Sequence, residues 1–133
     1  MATPLDTDFI ISQGDSLPDM RIAIPPNSDG QLIDLTDCTV TFLGRPVGAR
    51  TTPPPIVRPI QSFASETEDG VGVVAVYVHF ETTDTKAVSV GASQTYQEME
   101  GELEIADANN DVLTIPSEGY LTWYIRDDIG GAS

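Results

Sequence analysis

Few side chains in this sequence are of a type and spacing that could do acid–base, nucleophilic or metal chemistry. His79 is the single histidine and Cys38 the single cysteine among 133 residues, so one chain cannot assemble a zinc site from the usual ligands. A Ser-His-Asp triad is formally possible, but the sequence has no Gly-x-Ser-x-Gly nucleophile motif. His79 is therefore predicted to be a packed or edge residue, and Cys38 a small buried side chain at the start of a strand.

Carboxylates recur at every second position of the segment EMEGELEI. In a β-strand they share one face and the apolar residues share the other, and the four are Glu98, Glu100, Glu102 and Glu104. Paired-carboxylate catalysis needs two acids in different environments. This glutamate row is instead expected to be evenly solvated, with same-face neighbours roughly 7 Å apart. It is interpreted as a surface feature, and no catalytic role is predicted.

A polar segment from Asp107 to Glu118 imitates the ligand spacing of an EF-hand. Asp107, Asn109 and Asp111 are followed by Glu118, eleven residues after the first aspartate. Val112 stands where that loop has its turn glycine, and no helical pattern flanks it. The segment is interpreted as a polar hairpin turn, with cation binding left open. No cofactor is predicted.

The overall charge limits the partners. Its 21 acidic and 6 basic residues give a net charge of −15, which disfavours binding to nucleic acid through a basic surface or to an anionic membrane. The densest apolar stretch, Val71 to Phe80, is about half the length of a membrane span. The start MATPLDTD predicts no secretory signal, and a lone cysteine favours synthesis in a reducing cytoplasm.

Alternation of apolar and polar residues predicts β-structure throughout. Met20–Ile24 and the segment around Val40 and Phe42 alternate, whereas VGVVAVYVHF is apolar on both faces and is predicted to be a central strand covered on both sides. The final third is predicted to be a hairpin or meander of three strands. Only Thr83–Val88 is predicted to be helical. The expected fold is a single all-β domain over residues 1–133, a two-sheet antiparallel β-sandwich (immunoglobulin-like or jelly-roll-like) of roughly seven to eight strands.

One segment departs from the acidic character of the chain. No acid occurs between Cys38 and Ser65, yet Arg45, Arg50 and Arg58 all lie there. Residues 44–60, the basic segment, are predicted to form a long Pro-rich loop with some polyproline II geometry. Two interpretations carry equal weight: an arm that binds an acidic neighbour, such as a second copy, or a loop whose arginines pair with their own domain. These arginines and the glutamate row are the candidate protein–protein contacts.

Aromatic residues near the end of the chain suggest a more distant alternative. On a strand Tyr120 and Tyr124 share one face and Trp123 points the other way, into the core. An exposed Tyr124 is a weak indication of a carbohydrate-binding module.

Short motifs in both halves of the chain occur in the order of a known family. Gln13-Gly14-Asp15 precedes a strand, a turn and Ile33-Asp34-Leu35-Thr36; the second half has Asp84-Thr85, Gly91, Tyr96-Gln97-Glu98, Thr114-Ile115-Pro116 and Gly119-Tyr120-Leu121. Over residues 8–126 this pattern resembles the N-terminal domain of phage baseplate upper proteins. In two respects the chain is expected to differ from the family pattern: its basic segment is longer, and no coiled coil or receptor domain is predicted after Ser133.

The resemblance implies a β-sandwich that acts as an assembly module of a virion, without active site or cofactor. The predicted function is therefore a non-enzymatic phage structural protein, in a tail, baseplate or fibre anchor, that forms homo-oligomers and contacts other virion proteins. A capsid-decorating or head-fibre base protein is the close alternative. A small hydrolase using His79 or one acid of the glutamate row is ranked last.

Overall fold

The computed structural model describes residues 9–47, 56–86, 88, 90, 95–116 and 119–127. These contain nine β-strands and one short helix, α1 (Thr82–Lys86), so the all-β prediction is confirmed. The strands are β1 (Ile10–Ser12), β2 (Met20–Ile24), β3 (Thr39–Pro46), β4 (Ile56–Pro59), β5 (Ser62–Glu68), β6 (Val71–Val78), β7 (Tyr96–Ala106), β8 (Val112–Ile115) and β9 (Leu121–Arg126).

The strands form two sheets. Sheet I has the order β1-β9-β7-β3-β4, with β8 also paired to β7, and sheet II has the order β2-β6-β5. All pairings are antiparallel except that of β1 with β9, which is parallel. The prediction of purely antiparallel sheets is wrong at this pairing, because the two strands come from opposite ends of the chain and no hairpin fixes their direction.

One hydrophobic cluster joins the two sheets. Met20, Ile22 and Val76 from sheet II pack in the same cluster as Phe42 and Trp123 from sheet I. The Trp123 ring stacks on Phe80 at 5.1 Å between ring centroids and meets Phe42 edge-on at 5.7 Å. Its indole N–H donates to the carbonyl of Glu100 at 3.2 Å, so the polar atom of this buried ring is satisfied. The prediction that Trp123 lies in the core is confirmed.

Strand β6 is the central strand of sheet II, as its composition predicts. It pairs with β2 on one edge and β5 on the other. Val76 and Val78 are buried in the core, and Val73 and Ala75 are buried on the opposite face. On that opposite face, β6 is covered by side chains of its neighbours, because Arg21 of β2 forms ion pairs with Glu66 and Glu68 of β5 across it.

The final third contains the three predicted strands, of which β7 and β8 form a hairpin, but the three do not form a meander. Strands β8 and β9 both pair with β7. Residues 96–101 of β7 pair with β9, and residues 103–106 of the same strand pair with β8. The predicted helical segment is also present, as α1, where Asp84 Oδ2 accepts the Glu81 backbone N–H at 2.8 Å.

Both ends of the basic segment belong to strands. Arg45 and Pro46 end β3, and Ile56–Pro59 form β4, which pairs with β3 and buries Ile56. Strand β4 was not predicted because it is short and contains Pro59, which interrupts the alternation. Residues 48–55, including Arg50, lie outside the described residues, and the Pro-rich loop therefore stays a prediction. In the described part of the chain, no helix has the length and apolarity needed to cross a membrane.

Candidate functional site

The glutamate row lies on the outer face of β7, opposite the buried Met99, Leu103 and Ile105. The alternation is thus confirmed, but the expectation of an evenly solvated row is wrong. Glu98 and Glu104 are exposed, whereas Glu100 is only 6% exposed.

The buried Glu100 pairs with Arg45, and Arg45 in turn contacts Tyr120. The register of β3 and β7 sets Arg45 directly opposite Glu100, and Arg45 Nε lies 3.1 Å from Glu100 Oε2. Arg45 Nη2 donates to the Tyr120 hydroxyl at 2.8 Å, with the guanidinium 5.0 Å from the centre of that ring. The hydrogen bond with Glu100 raises the pKa of Arg45 above its ordinary value. The adjoining cavity of about 20 Å³ has room for one water molecule.

Arg58 forms a second ion-pair group, between β4 and α1. Its Nη1 lies 3.2 Å from Glu81 Oε1 and its Nε lies 3.2 Å from Asp84 Oδ2. Both described arginines of the basic segment, Arg45 and Arg58, thus pair with acids of their own chain, which favours the second of the two interpretations for these residues. Whether they or the glutamates also contact a partner stays a prediction.

A third group, the Arg21 cluster, crosses the outer face of sheet II. Arg21 Nη2 lies 3.0 Å from Glu66 Oε1 and Nη1 lies 2.9 Å from Glu68 Oε1. The Tyr77 hydroxyl donates a short hydrogen bond to Glu66. This bond and Arg21 lower the pKa of Glu66, and the same bond raises the pKa of Tyr77. The cluster therefore ties β2, β6 and β5 together.

The sequence did not reveal the Arg21 cluster, because its members are far apart in the chain. Arg21 and Glu66 are 45 residues apart and meet only through the register of β2, β6 and β5. The only local signal was the alternation in MRIAI, which places Arg21 on the face of β2 opposite Met20 and Ile22. The alternation does not show which acid Arg21 contacts.

The single histidine and cysteine both lie directly beside strands. His79 follows β6, with Nδ1 2.7 Å from Asp19 Oδ1. The prediction of a packed or edge residue is wrong, because β6 is the central strand of sheet II and ends at Val78, and the imidazole side chain beyond it is exposed. Cys38 is only half-buried and precedes β3 directly. Its expected burial is thus partly met, because its side chain packs against the edge of the core.

The Asp107 segment is a hairpin turn between β7 and β8. Asp107 Oδ1 accepts the backbone N–H groups of Asn109 at 2.8 Å and Asp111 at 3.0 Å, which confirms the turn interpretation. The described residues contain no group of three or more potential metal ligands placed to share an ion. Glu118 lies outside the described residues.

Residues of two of the motifs that carry the resemblance have local structural partners. Gln13 Nε2 donates to the Val88 carbonyl at 2.6 Å. Asp34 Oδ1 accepts the Thr36 N–H at 2.9 Å, which lowers the pKa of Asp34, while Leu35 between them is buried. These contacts fix the segments that precede β2 and β3.

Tyr124 is half-buried and meets Tyr96 edge-on at 6.1 Å between ring centroids. Since the two rings are tilted by 68°, they do not form a flat platform for a sugar.

Two surfaces of the described chain combine unpaired backbone with apolar side chains. Strand β5 is the outer strand of sheet II, and six of its seven residues are exposed, including Phe63 at 46%. Strand β8 borders a groove of about 280 Å³ between the two sheets, which is lined mainly by Ile24, Pro25, Ile33, Leu113 and Ile115. These are the candidate interaction surfaces.

No protein-family model, curated protein or solved structure matches this chain.

Proposed function

We propose that this protein is a non-enzymatic structural subunit of a phage virion, in a tail, baseplate or fibre anchor, that works through contacts with other proteins and with further copies of itself. The virion assignment rests on the order of the motifs around Gln13-Gly14-Asp15 and Ile33–Thr36. The assembly role is supported by the surface of the fold.

The observation that carries the assembly role is the exposed edge of β5. Among the described residues its only strand partner is β6. Monomeric proteins usually protect such an edge with charged side chains, above all lysine, with proline or with a bulge, because a free edge pairs with other strands. The sequence of β5, SFASETE, has neither lysine nor proline. Its two charges, Glu66 and Glu68, are held in ion pairs with Arg21 of the same sheet, and Phe63 adds an exposed apolar side chain.

The register of β5 permits pairing with a second copy. If two β5 strands meet antiparallel with Ser65 opposite Ser65, Phe63 lies opposite Thr67 and Glu66 lies opposite Ala64. Glu68 then lies opposite Ser62, so no two carboxylates face each other directly. Cross-strand pairs of like charge, which destabilise a sheet, are avoided in this register.

The type of β-sandwich is part of the same proposal. The two sheets share one core, and we take them to form a β-sandwich with immunoglobulin-like or jelly-roll-like connections. In a β-sandwich the core lies between the two sheets, so assembly through an outer strand such as β5 leaves the core unchanged.

Light scattering after size exclusion tests the assembly role. The expected particle mass is a multiple of the 14.2 kDa chain mass for the wild type and 14.2 kDa for Phe63→Lys, because a lysine on the edge opposes pairing. Leu17→Lys is the matched control, since Leu17 is 65% exposed outside the strands, and it should retain the wild-type mass. A wild-type mass of one chain at high concentration contradicts assembly through self-contacts.

A further inference from the structure

We infer that the groove between β8 and β2 binds an extended segment of a partner protein as an added strand, with apolar side chains at alternate positions and lysine or arginine at its ends. The inference rests on the proposed function and deepens it, because it names a second contact surface and the chemistry of its partner.

The backbone of β8 offers hydrogen bonds on its outer edge. Asp107 N–H donates to the Asp111 carbonyl, and these two residues continue the register in which Leu113 lies opposite Ile105. Hydrogen-bonded and non-bonded pairs alternate in an antiparallel ladder. Since Asp107 and Asp111 are a hydrogen-bonded pair, Ile105 and Leu113, two residues further along, are one too, and the backbone of Leu113 bonds to β7. The N–H and C=O groups of Val112 and Thr114 therefore point away from β7, and no strand of the described chain pairs with them.

The side chains beside that edge form an apolar groove. Leu113 and Ile115 lie opposite the buried Ile105 and Leu103, on the core side of sheet I. Leu113 is nevertheless 49% exposed, because the groove of about 280 Å³ separates it from Ile24 of β2. This volume is about twice that of a cavity which holds one benzene molecule. A strand added beside β8 directs every second side chain to this side, and the groove accommodates two of them.

The charge around the groove favours a partner strand with basic residues at its ends. Its lining residues are close in sequence to four exposed aspartates, namely Asp29, Asp34, Asp107 and Asp111. The segments 22–44 and 87–125 contain no lysine or arginine. Basic side chains at the ends of the added strand complement this charge. A second copy is the poorer occupant, because its exposed edge strand β5, SFASETE, has no basic residue and ends in acids.

A synthetic peptide serves as the probe. Acetyl-Lys-Lys-Ile-Ser-Val-Ser-Lys-Lys-amide has two apolar residues at alternate positions between basic ends. Two control peptides replace either the lysines with glutamate or the isoleucine and valine with serine. Binding is measured by calorimetry, and NMR of the methyl groups of Ile24, Ile33, Leu113 and Ile115 locates it. We expect the first peptide to bind with methyl shifts at these residues and both controls to bind at least about tenfold more weakly.

Two pairs of protein variants separate strand addition from charge attraction. Thr114→Pro removes an N–H that points outward and is not used by β7, and should weaken binding about tenfold, whereas Thr114→Ala keeps the N–H and should bind like the wild type. Leu113→Asp places a charge in the groove and should abolish binding, whereas Val112→Asp, on the opposite face, should not. Circular dichroism verifies that each variant is folded, and if Thr114→Pro is not, the Leu113 and Val112 pair alone decides.

Three results overturn the inference. They are the absence of binding of the first peptide, equal binding of the serine-substituted peptide, or equal effects within both variant pairs. The mass measured for Phe63→Lys is independent of the groove, so a wild-type protein that associates but binds no peptide contradicts only this inference.

Discussion

Gly44 and Gly101 lie opposite each other in the β3–β7 ladder, and the rings of Phe42 and Trp123 cover both. A Cβ atom at Gly101 would lie 2.8 Å from two carbons of the Phe42 ring and 3.1 Å from the indole nitrogen of Trp123. The glycine pair thus creates the space into which the largest core side chains fit. The next pair along the ladder is Arg45 and Glu100. The packing of the aromatic rings over the two glycines and the buried ion pair therefore depend on the same strand register.

Gly101→Ala is therefore expected to destabilise the protein by about 1–3 kcal/mol, the usual range for overpacking a core. Urea unfolding followed by tryptophan fluorescence measures this directly, since Trp123 is the only tryptophan. Gly72→Ala is the matched control, because a Cβ there meets only Leu32, at 3.8 Å. Equal stability of the two variants would contradict the proposed role of the glycine pair.

Glu100→Gln is expected to lower the melting temperature, while Glu104→Gln, in the same row, is not. Glu100 is buried against Arg45, and loss of its charge leaves the guanidinium without its compensating partner in a poorly hydrated place. Glu104 is exposed, and its removal slightly reduces the repulsion among the acids of the chain. Differential scanning calorimetry at neutral pH compares the two, and a similar decrease in both variants refutes the special position of Glu100.

The Arg21 cluster predicts a loss of stability at both ends of the pH range. The pKa of Glu66 is lowered from its ordinary value of 4.5, so its contribution is complete above pH 4.5 and disappears as the pH falls through the lower value of the folded state. The pKa of Tyr77 is raised from its ordinary value of 10.0, so its contribution is complete below pH 10.0 and disappears as the pH rises through the higher folded value.

Tyr77→Phe tests this pH dependence, because it removes the titrating hydroxyl and the main hydrogen bond to Glu66. The unfolding free energy of this variant should change less steeply with pH than that of the wild type, both below pH 4.5 and above pH 10.0. Tyr96→Phe is the control, since Tyr96 contacts Tyr124 through its ring. Identical slopes for Tyr77→Phe and wild type would be evidence against the cluster.

Salt is expected to strengthen self-association. Each chain carries a net charge of −15, and added salt screens the repulsion between two copies. If the arginines of the basic segment bound an acidic neighbour instead, salt would weaken association. Sedimentation velocity at low and high sodium chloride distinguishes these, and a dissociation constant that rises with salt contradicts association through the β5 edge.

The sequence predicted those elements whose pattern is local. The alternation in β7 and the doubly apolar composition of β6 are visible in a window of about ten residues, and both strands are where they were expected. Strand β5 was missed because SFASETE is polar on both faces, and only its pairing with β6 makes it a strand.

The candidate contacts were harder to predict, since they depend on strand register. Glu100 and Glu104 are equivalent in the sequence, but only Glu100 lies opposite Arg45, which is 55 residues away. The groove at Leu113 likewise depends on which edge of β7 binds β8. Neither relationship is encoded in the spacing of residues along one segment.

Quantitative mass spectrometry of purified particles, from a phage that carries the gene, tests most directly the proposal that this chain is a structural part of a virion. Peptides of the protein are expected at a fixed copy number per particle, retained after a density gradient. Absence of the protein from intact particles, alongside its detection in the lysate of the infected cells, would overturn the proposal.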